Sequence, residues 1–179
     1  MNSKTSRTSK TSKKTVSYFR KRYEEVQDFQ EIFYLIKEGV EKTTGRSRTG
    51  LMLGLADLGV RQNGFVGAFY PVGSNVIVLN KTPLKMIEAQ KPDMLKPYVF
   101  HVLMHEYLHT LGILNERHTE LFTFKINEKL FGENHKVTRM SFEFDRLFPQ
   151  VIMPAMGMRP QQQMPIEIID DFEKTNYIG

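Results

Sequence analysis

His105-Glu106-Tyr107-Leu108-His109-Thr110-Leu111-Gly112 decides how this chain is read. Histidines four positions apart on a helix project from one face, close enough together to hold a single metal ion. The glutamate beside the first histidine can then reach a water molecule at that ion and take its proton. The spacing carries this meaning only on a helix, and the neighbouring residues supply one. Pro97 suits a first helical turn, Tyr98 to Leu111 contains neither proline nor glycine, and Gly112 provides a stop. The stretch therefore predicts a metal-dependent hydrolytic site on a helix, with His105 and His109 as ligands and Glu106 as general base.

Two nitrogens do not complete such a site, because a catalytic zinc usually takes three protein ligands and keeps one position for water. The chain has no cysteine, so the third ligand must be His, Asp or Glu. A helix rises about 1.5 Å per residue, so a residue seven or more positions past His109 lies over about 10 Å away unless the chain bends. Gly112 is the place for that bend, since glycine accepts backbone angles other residues avoid. Beyond it stand His118, a neutral nitrogen donor; Glu116, with a flexible carboxylate; and His135, which follows a further helix and could fold back from a loop. We expect His118 first, Glu116 next and His135 last. His101 lies one turn before His105, but three histidines at this spacing cannot all reach one ion from a regular helix. It is read as a core or supporting residue.

The pattern His105-Glu106-x-x-His109-x-x-Gly112 resembles the zincin metallopeptidases, and its trailing glycine resembles the start of the metzincin motif. The metzincin third ligand would fall at Asn115, a poor zinc ligand, so other zincin patterns bear on that position. His118-Thr119-Glu120-Leu121-Phe122 is loosely similar to the SprT-like zincins, whose third histidine opens a later helix. Glu116 or Glu120 would play the part of the glutamate in gluzincins. The resemblance implies an α+β, zincin-like fold: a small mixed sheet packed against a long N-terminal helix and the motif helix. It implies bound Zn2+, a peptide or protein substrate lying along an edge strand, and Glu106 passing its proton to a leaving amine. Tyr70, Tyr98, Arg117 and His135 are candidates for a further donor to the oxyanion. Met153, before Pro154, resembles the methionine turn that metzincins place beneath the metal, although a core filler is the simpler reading.

At 179 residues the chain fits one domain with tails. The net charge of +5 is unevenly spread: residues 1–22 hold eight basic and no acidic residues, leaving 17 basic against 20 acidic in the remainder. Residues 1–15, rich in Ser, Thr and Lys with no apolar residue after Met1, are expected to be a disordered basic tail. Residues 16–159 would form the zincin-like domain and 160–179 a C-terminal tail. A basic arm of this kind can contact phosphates on nucleic acid or a ribosome. A second reading follows from it: a nucleic-acid- or ribosome-associated protein whose zincin site is structural or inactive. No stretch approaches the roughly 20 apolar residues of a membrane span. The N-terminus lacks the apolar core of a secretory signal, so the chain is read as cytoplasmic.

Around the motif, Phe19, Val26, Phe33 and Val40 repeat every seven residues and predict one helix over about 18–43. Three strands are expected at 51–58, 65–70 and 75–80. The last, apolar at Val76–Leu79, would be an inner strand, joined to its predecessor by the Pro71-Val72-Gly73-Ser74 turn. Thr82-Pro83 would start a short helix. Asn115 would cap a longer one ending before Gly132, with Leu121, Phe122, Phe124 and Leu130 as its apolar positions.

Overall fold

The computed structural model describes residues 4–59, 64–152 and 165–169. In chain order the elements are α1 (Lys4–Glu25), α2 (Phe29–Thr44), β1 (Met52–Ala56), β2 (Phe65–Val66), β3 (Ala68–Phe69), β4 (Val76–Asn80) and α3 (Lys81–Gln90). After a 3-10 turn at Pro92–Met94 come α4 (Leu95–Thr110), α5 (Glu116–Phe131), α6 (Lys136–Leu147), β5 (Val151–Ile152) and β6 (Glu167–Ile169). The architecture is α+β.

The motif helix, α4, is the centre of the molecule. From Pro97 on, its sequence is apolar around the whole circumference apart from three histidines, Glu106 and Thr110, and such a helix must be enclosed on all sides. Every residue from Pro97 to Thr110 is buried, with α2, α3, α5, α6 and the strands β3 and β4 packed around it. Phe100 meets Phe131 of α5 edge to face, with ring centroids 5.3 Å apart, and Tyr107 meets Phe33 of α2 in the same way at 5.4 Å. Both histidines of the motif are therefore held on a rigid, fully packed element.

Four strands form a mixed sheet in the order β3-β4-β1-β6. β1 and β4 run parallel, from Met52 beside Val76 to Ala56 beside Asn80, while β3 is antiparallel to β4 and β6 antiparallel to β1. The inner position expected for Val76–Asn80 is what the sheet shows. The expected 65–70 strand is instead split: β2 leaves this sheet and pairs with β5, Phe65 beside Val151. Asn80 holds the split in place, its main-chain N–H donating to Gly67 O at 3.0 Å and its side-chain amide to Val66 O at 2.8 Å. The same side chain accepts from Thr82 N, so Asn80, not Thr82, caps α3.

The single N-terminal helix expected over 18–43 is two helices. Asp28 interrupts it by capping α2, with its carboxylate accepting from Glu31 N at 2.8 Å while Glu31 accepts in return from Gln27 N at 2.6 Å. The heptad residues Phe19, Val26, Phe33 and Val40 are still all buried, because α1 and α2 line the same core from two directions. α1 packs on α5 and α2, while α4 is the helix laid directly on β3 and β4. The N-terminal helix thus does not take the place against the sheet that we expected.

Helix also extends back to Lys4, where a disordered tail was expected over residues 1–15. Once the turns around Phe19 and Tyr23 are anchored in the core, each further residue adds a hydrogen bond without paying for a new nucleus. At the other end, the expected tail from 160 contributes β6 to the sheet. Gly54 makes room for it: a Cβ there would lie 2.4 Å from Ile166 Cγ2. The expectation for Met153 lies outside the described residues. Among the described residues no helix is long and apolar enough to cross a membrane.

Candidate metal centre

Glycine 112 turns the chain as its sequence position implied, with φ of 86° in the left-handed region. Asn115 then caps α5, accepting from His118 N at 3.0 Å, and makes Glu116 the first residue of that helix. This start fixes which α5 residues look inward. Glu116, Thr119, Thr123, Asn127 and Leu130 recur at intervals of three to four and form the side turned toward α4, the last four fully buried. His118 lies two positions from Glu116, about 200° around the helix axis, and is exposed.

The third donor in the cluster is therefore Glu116, in place of the expected His118. His105 Nε2 lies 2.9 Å from Glu116 Oε2, His109 Nε2 lies 3.4 Å from Glu116 Oε1, and the two imidazole nitrogens are 3.0 Å apart. All three ligand atoms fall within 4.8 Å of one another. His135 is excluded by its own structural work. Its Nδ1 accepts from Val137 N to cap α6, and its ring stacks on Phe131 with centroids 4.8 Å apart. His101 is buried outside the cluster, against Ser141 and Phe144, and burial with the neighbouring His105 pulls it down to about 3. Glu120 is exposed.

The ring of His109 is oriented from behind. His109 Nδ1 lies 2.7 Å from Ile113 O, a carbonyl that also accepts from the buried Thr119 hydroxyl at 3.0 Å. A carbonyl can only accept, so Nδ1 donates to it and Nε2 is the ring nitrogen turned toward His105 Nε2 and Glu116. Ligands about 2.0–2.1 Å from a tetrahedral zinc stand about 3.3 Å apart, close to the 3.0 Å between the two imidazole nitrogens and the 2.9 and 3.4 Å from each to its nearer carboxylate oxygen. His105 is fully buried and Glu116 is one-third exposed, which leaves the approach to the cluster on the Glu116 side.

Glu106 lies alongside, almost fully buried, with Oε1 unpartnered. Burial pushes its carboxyl up to about 7; His105 opposes this, Glu116 adds to it, and the main-chain N–H of Tyr70 opposes it by donating to the carboxylate. Burial would raise Glu116 as well, but the hydrogen bond and charge of His105, then His109, outweigh it and hold that carboxylate below its ordinary value. Of the donors considered for an oxyanion, Tyr98 is buried among Phe144 and Phe148, and Arg117 is exposed. The Tyr70 hydroxyl is engaged by Arg48 at 2.7 Å. The Ile113–Thr119 support and the Tyr70 amide escaped the sequence reading, since main-chain groups leave no mark in a sequence pattern.

His135 provides a test of this assignment. Burial, with Arg20 and Lys136 adding and Glu24 opposing, pulls it from 6.5 down to about 4. Its depressed value means the unfolded chain takes up a proton that the folded chain refuses, so stability is complete above about 6.5 and falls as pH drops toward 4. His135→Asn retains a capping side chain without titrating. We expect its melting temperature to fall less than that of wild type across this window, with His101 accounting for part of what remains. Thermal melts at the two ends of the window check it.

Comparison with protein-family models, curated proteins and solved structures found no match for this chain.

Proposed function

We propose that the chain is a zinc-dependent hydrolase of the zincin type, a small metallopeptidase with a gluzincin-like ligand set. The observation that carries this is the convergence of His105, His109 and Glu116 beside the buried, unpartnered carboxyl oxygen of Glu106. Three donors from two packed helices match an open catalytic site, whereas a structural zinc site takes four. Among the described residues the group stops at three. Zinc, when bound, supplies a Lewis acid that acidifies water and polarises a carbonyl.

The protein's own groups do the rest. Glu106 takes the proton from the attacking water at Oε1, the new C–O bond forms as the peptide C–N bond breaks, and the same carboxyl returns the proton to the leaving amine. β3 stands at the end of the four-stranded sheet and runs into Tyr70, so an extended peptide added along β3 would reach Glu106 and the cluster.

The reading is tested with the full chain stripped of metal and then titrated with zinc. One zinc per chain is expected, with hydrolysis of an unfolded protein substrate that is lost on chelation and restored by zinc. A folded chain that takes up no zinc overturns it. The basic N-terminal stretch supports a second reading, a nucleic-acid- or ribosome-associated protein whose zincin site is structural or inactive, because the remainder of the chain is net acidic.

A further inference from the structure

The bend that carries Glu116 back to the histidines is made at Gly112, with φ of 86°. Glycine takes up that angle freely and restrains nothing. Among the described residues, a Cβ built at Gly112 would meet no atom within 4 Å. Packing therefore does not hold the turn; hydrogen bonds do. On its inner side, Ile113 O accepts from His109 Nδ1 at 2.7 Å and from the Thr119 hydroxyl at 3.0 Å. Leu111 N donates to Leu108 O at 3.1 Å, and Gly112 N donates to His109 O at 2.9 Å.

The last carbonyls of α4 lack helical partners of their own. Two of them are taken by the connection from α2 to β1, Gly45-Arg46-Ser47-Arg48-Thr49-Gly50. Arg46 Nη2 donates to Leu111 O at 2.5 Å, and Arg48 Nη1 donates to Thr110 O at 3.2 Å. Arg48 also serves the Tyr70 hydroxyl and Ser74 O, each at 2.7 Å. The Arg46 bond falls on the peptide unit that joins Leu111 to Gly112. That unit has its N–H on His109 O and its C=O on the guanidinium, so both of its ends are fixed. A peptide plane held at both ends cannot swing about the glycine, and the bend keeps its direction.

We propose that Arg46 is a positioning residue for the metal centre: it fixes the turn at Gly112 and thereby the place of Glu116 beside His105 and His109. Its effect on zinc rests on the zinc-site reading above. The experiment uses the full chain as wild type, Arg46→Met, Arg46→Lys, Glu116→Ala and the double variant Arg46→Met with Glu116→Ala. Zinc affinity is read by competition with a chromophoric chelator. Amide exchange of the zinc-free chain is measured by NMR at Gly112 and at Asn80, whose N–H bonds Gly67 O in the sheet.

In Arg46→Met, exchange at Gly112 is expected to rise about tenfold, the worth of one charge-assisted hydrogen bond, with Asn80 unchanged. Zinc binding should weaken about tenfold, the lower end of what partners behind metal ligands are worth. Arg46→Lys should recover part of both effects, because an ammonium keeps the charge but not the fixed fork. It also reads the role should the methionine variant fail to fold. In the Glu116→Ala chain the arginine should no longer matter to zinc, since the ligand it places is gone. Unchanged exchange at Gly112 or unchanged zinc affinity in Arg46→Met overturns the proposal. So does a zinc affinity weakened equally with and without Glu116, which shows only general loosening. A folded wild type that takes up no zinc overturns the metal reading and the proposal with it, whereas the other outcomes leave that reading standing.

Discussion

Glu116→Ala is expected to weaken zinc binding by more than about 100-fold while His118→Ala leaves it unchanged, because outer-shell partners of a metal site alone are worth 10- to 100-fold. The contrast is sharp because both residues sit in the first turn of the same helix. Glu116 Oε2 is 2.9 Å from His105 Nε2, whereas His118 is exposed on the opposite side of α5. Glu116→Gln separates charge from size: it keeps the side-chain length but removes the negative charge that balances a dication, and should lie between wild type and alanine. Competition against a chromophoric chelator reads all three variants. Zinc lost from His118→Ala and retained by Glu116→Ala would mean that α5 is rotated by about half a turn, and the whole donor geometry would have to be abandoned.

That contrast also marks where sequence reading ended. His105, Glu106 and His109 were legible because an i, i+4 spacing on a helix translates directly into a shared face, and the proline- and glycine-free run established the helix. The third donor was not. Leu121 and Phe122 look like core residues, and aligning α5 by them turns His118 inward. In the structure both are exposed, and the inward side is marked by Thr119, Thr123, Ile126 and Asn127 instead. The signal was present in Asn115: a cap there makes Glu116 the first helical residue, and every third or fourth position from it leads down the buried side. Buried polar residues with internal partners, Thr119 on Ile113 O and Asn127 on Ser141, defeat a rule that equates apolar with buried.

The sheet shows the same limit in another form. The run from Val76 to Leu79 was legible as an inner strand because it must be apolar on both faces. β6 was not, because Glu167–Ile169 is a short strand that docks on a β1 carrying Gly54, where a Cβ would meet the preceding Ile166. The break between α1 and α2 is a local matter of one aspartate capping a new helix, overridden in the sequence reading by a seven-residue apolar repeat that both helices satisfy.

Glu106→Gln is the second change with a large expected effect, and its two consequences run in opposite directions. In the zinc-loaded chain, hydrolysis should fall by about 10²–10⁴, the usual worth of a positioned general base, with zinc content unaltered because glutamine leaves His105, His109 and Glu116 in place. In the zinc-free chain the same substitution should stabilise the fold at alkaline pH. Burial raises the Glu106 carboxyl from 4.5 to about 7, so the folded state resists ionisation that the unfolded chain accepts. For a raised carboxyl the stability is complete below about 4.5 and is lost as pH rises through about 7. Glutamine has no such loss. Melts of the zinc-free proteins should coincide below about 4.5, diverge between about 4.5 and 7 and stay apart above that, with the variant higher by an amount on the order of a few kcal/mol. A buried acid kept for packing alone would be improved by glutamine without cost, whereas a general base is one whose removal stabilises the fold and stops the chemistry. Glu106→Gln that retains hydrolysis, or that melts below wild type in alkali, would assign this carboxyl a structural role and leave the cluster a metal site without a base.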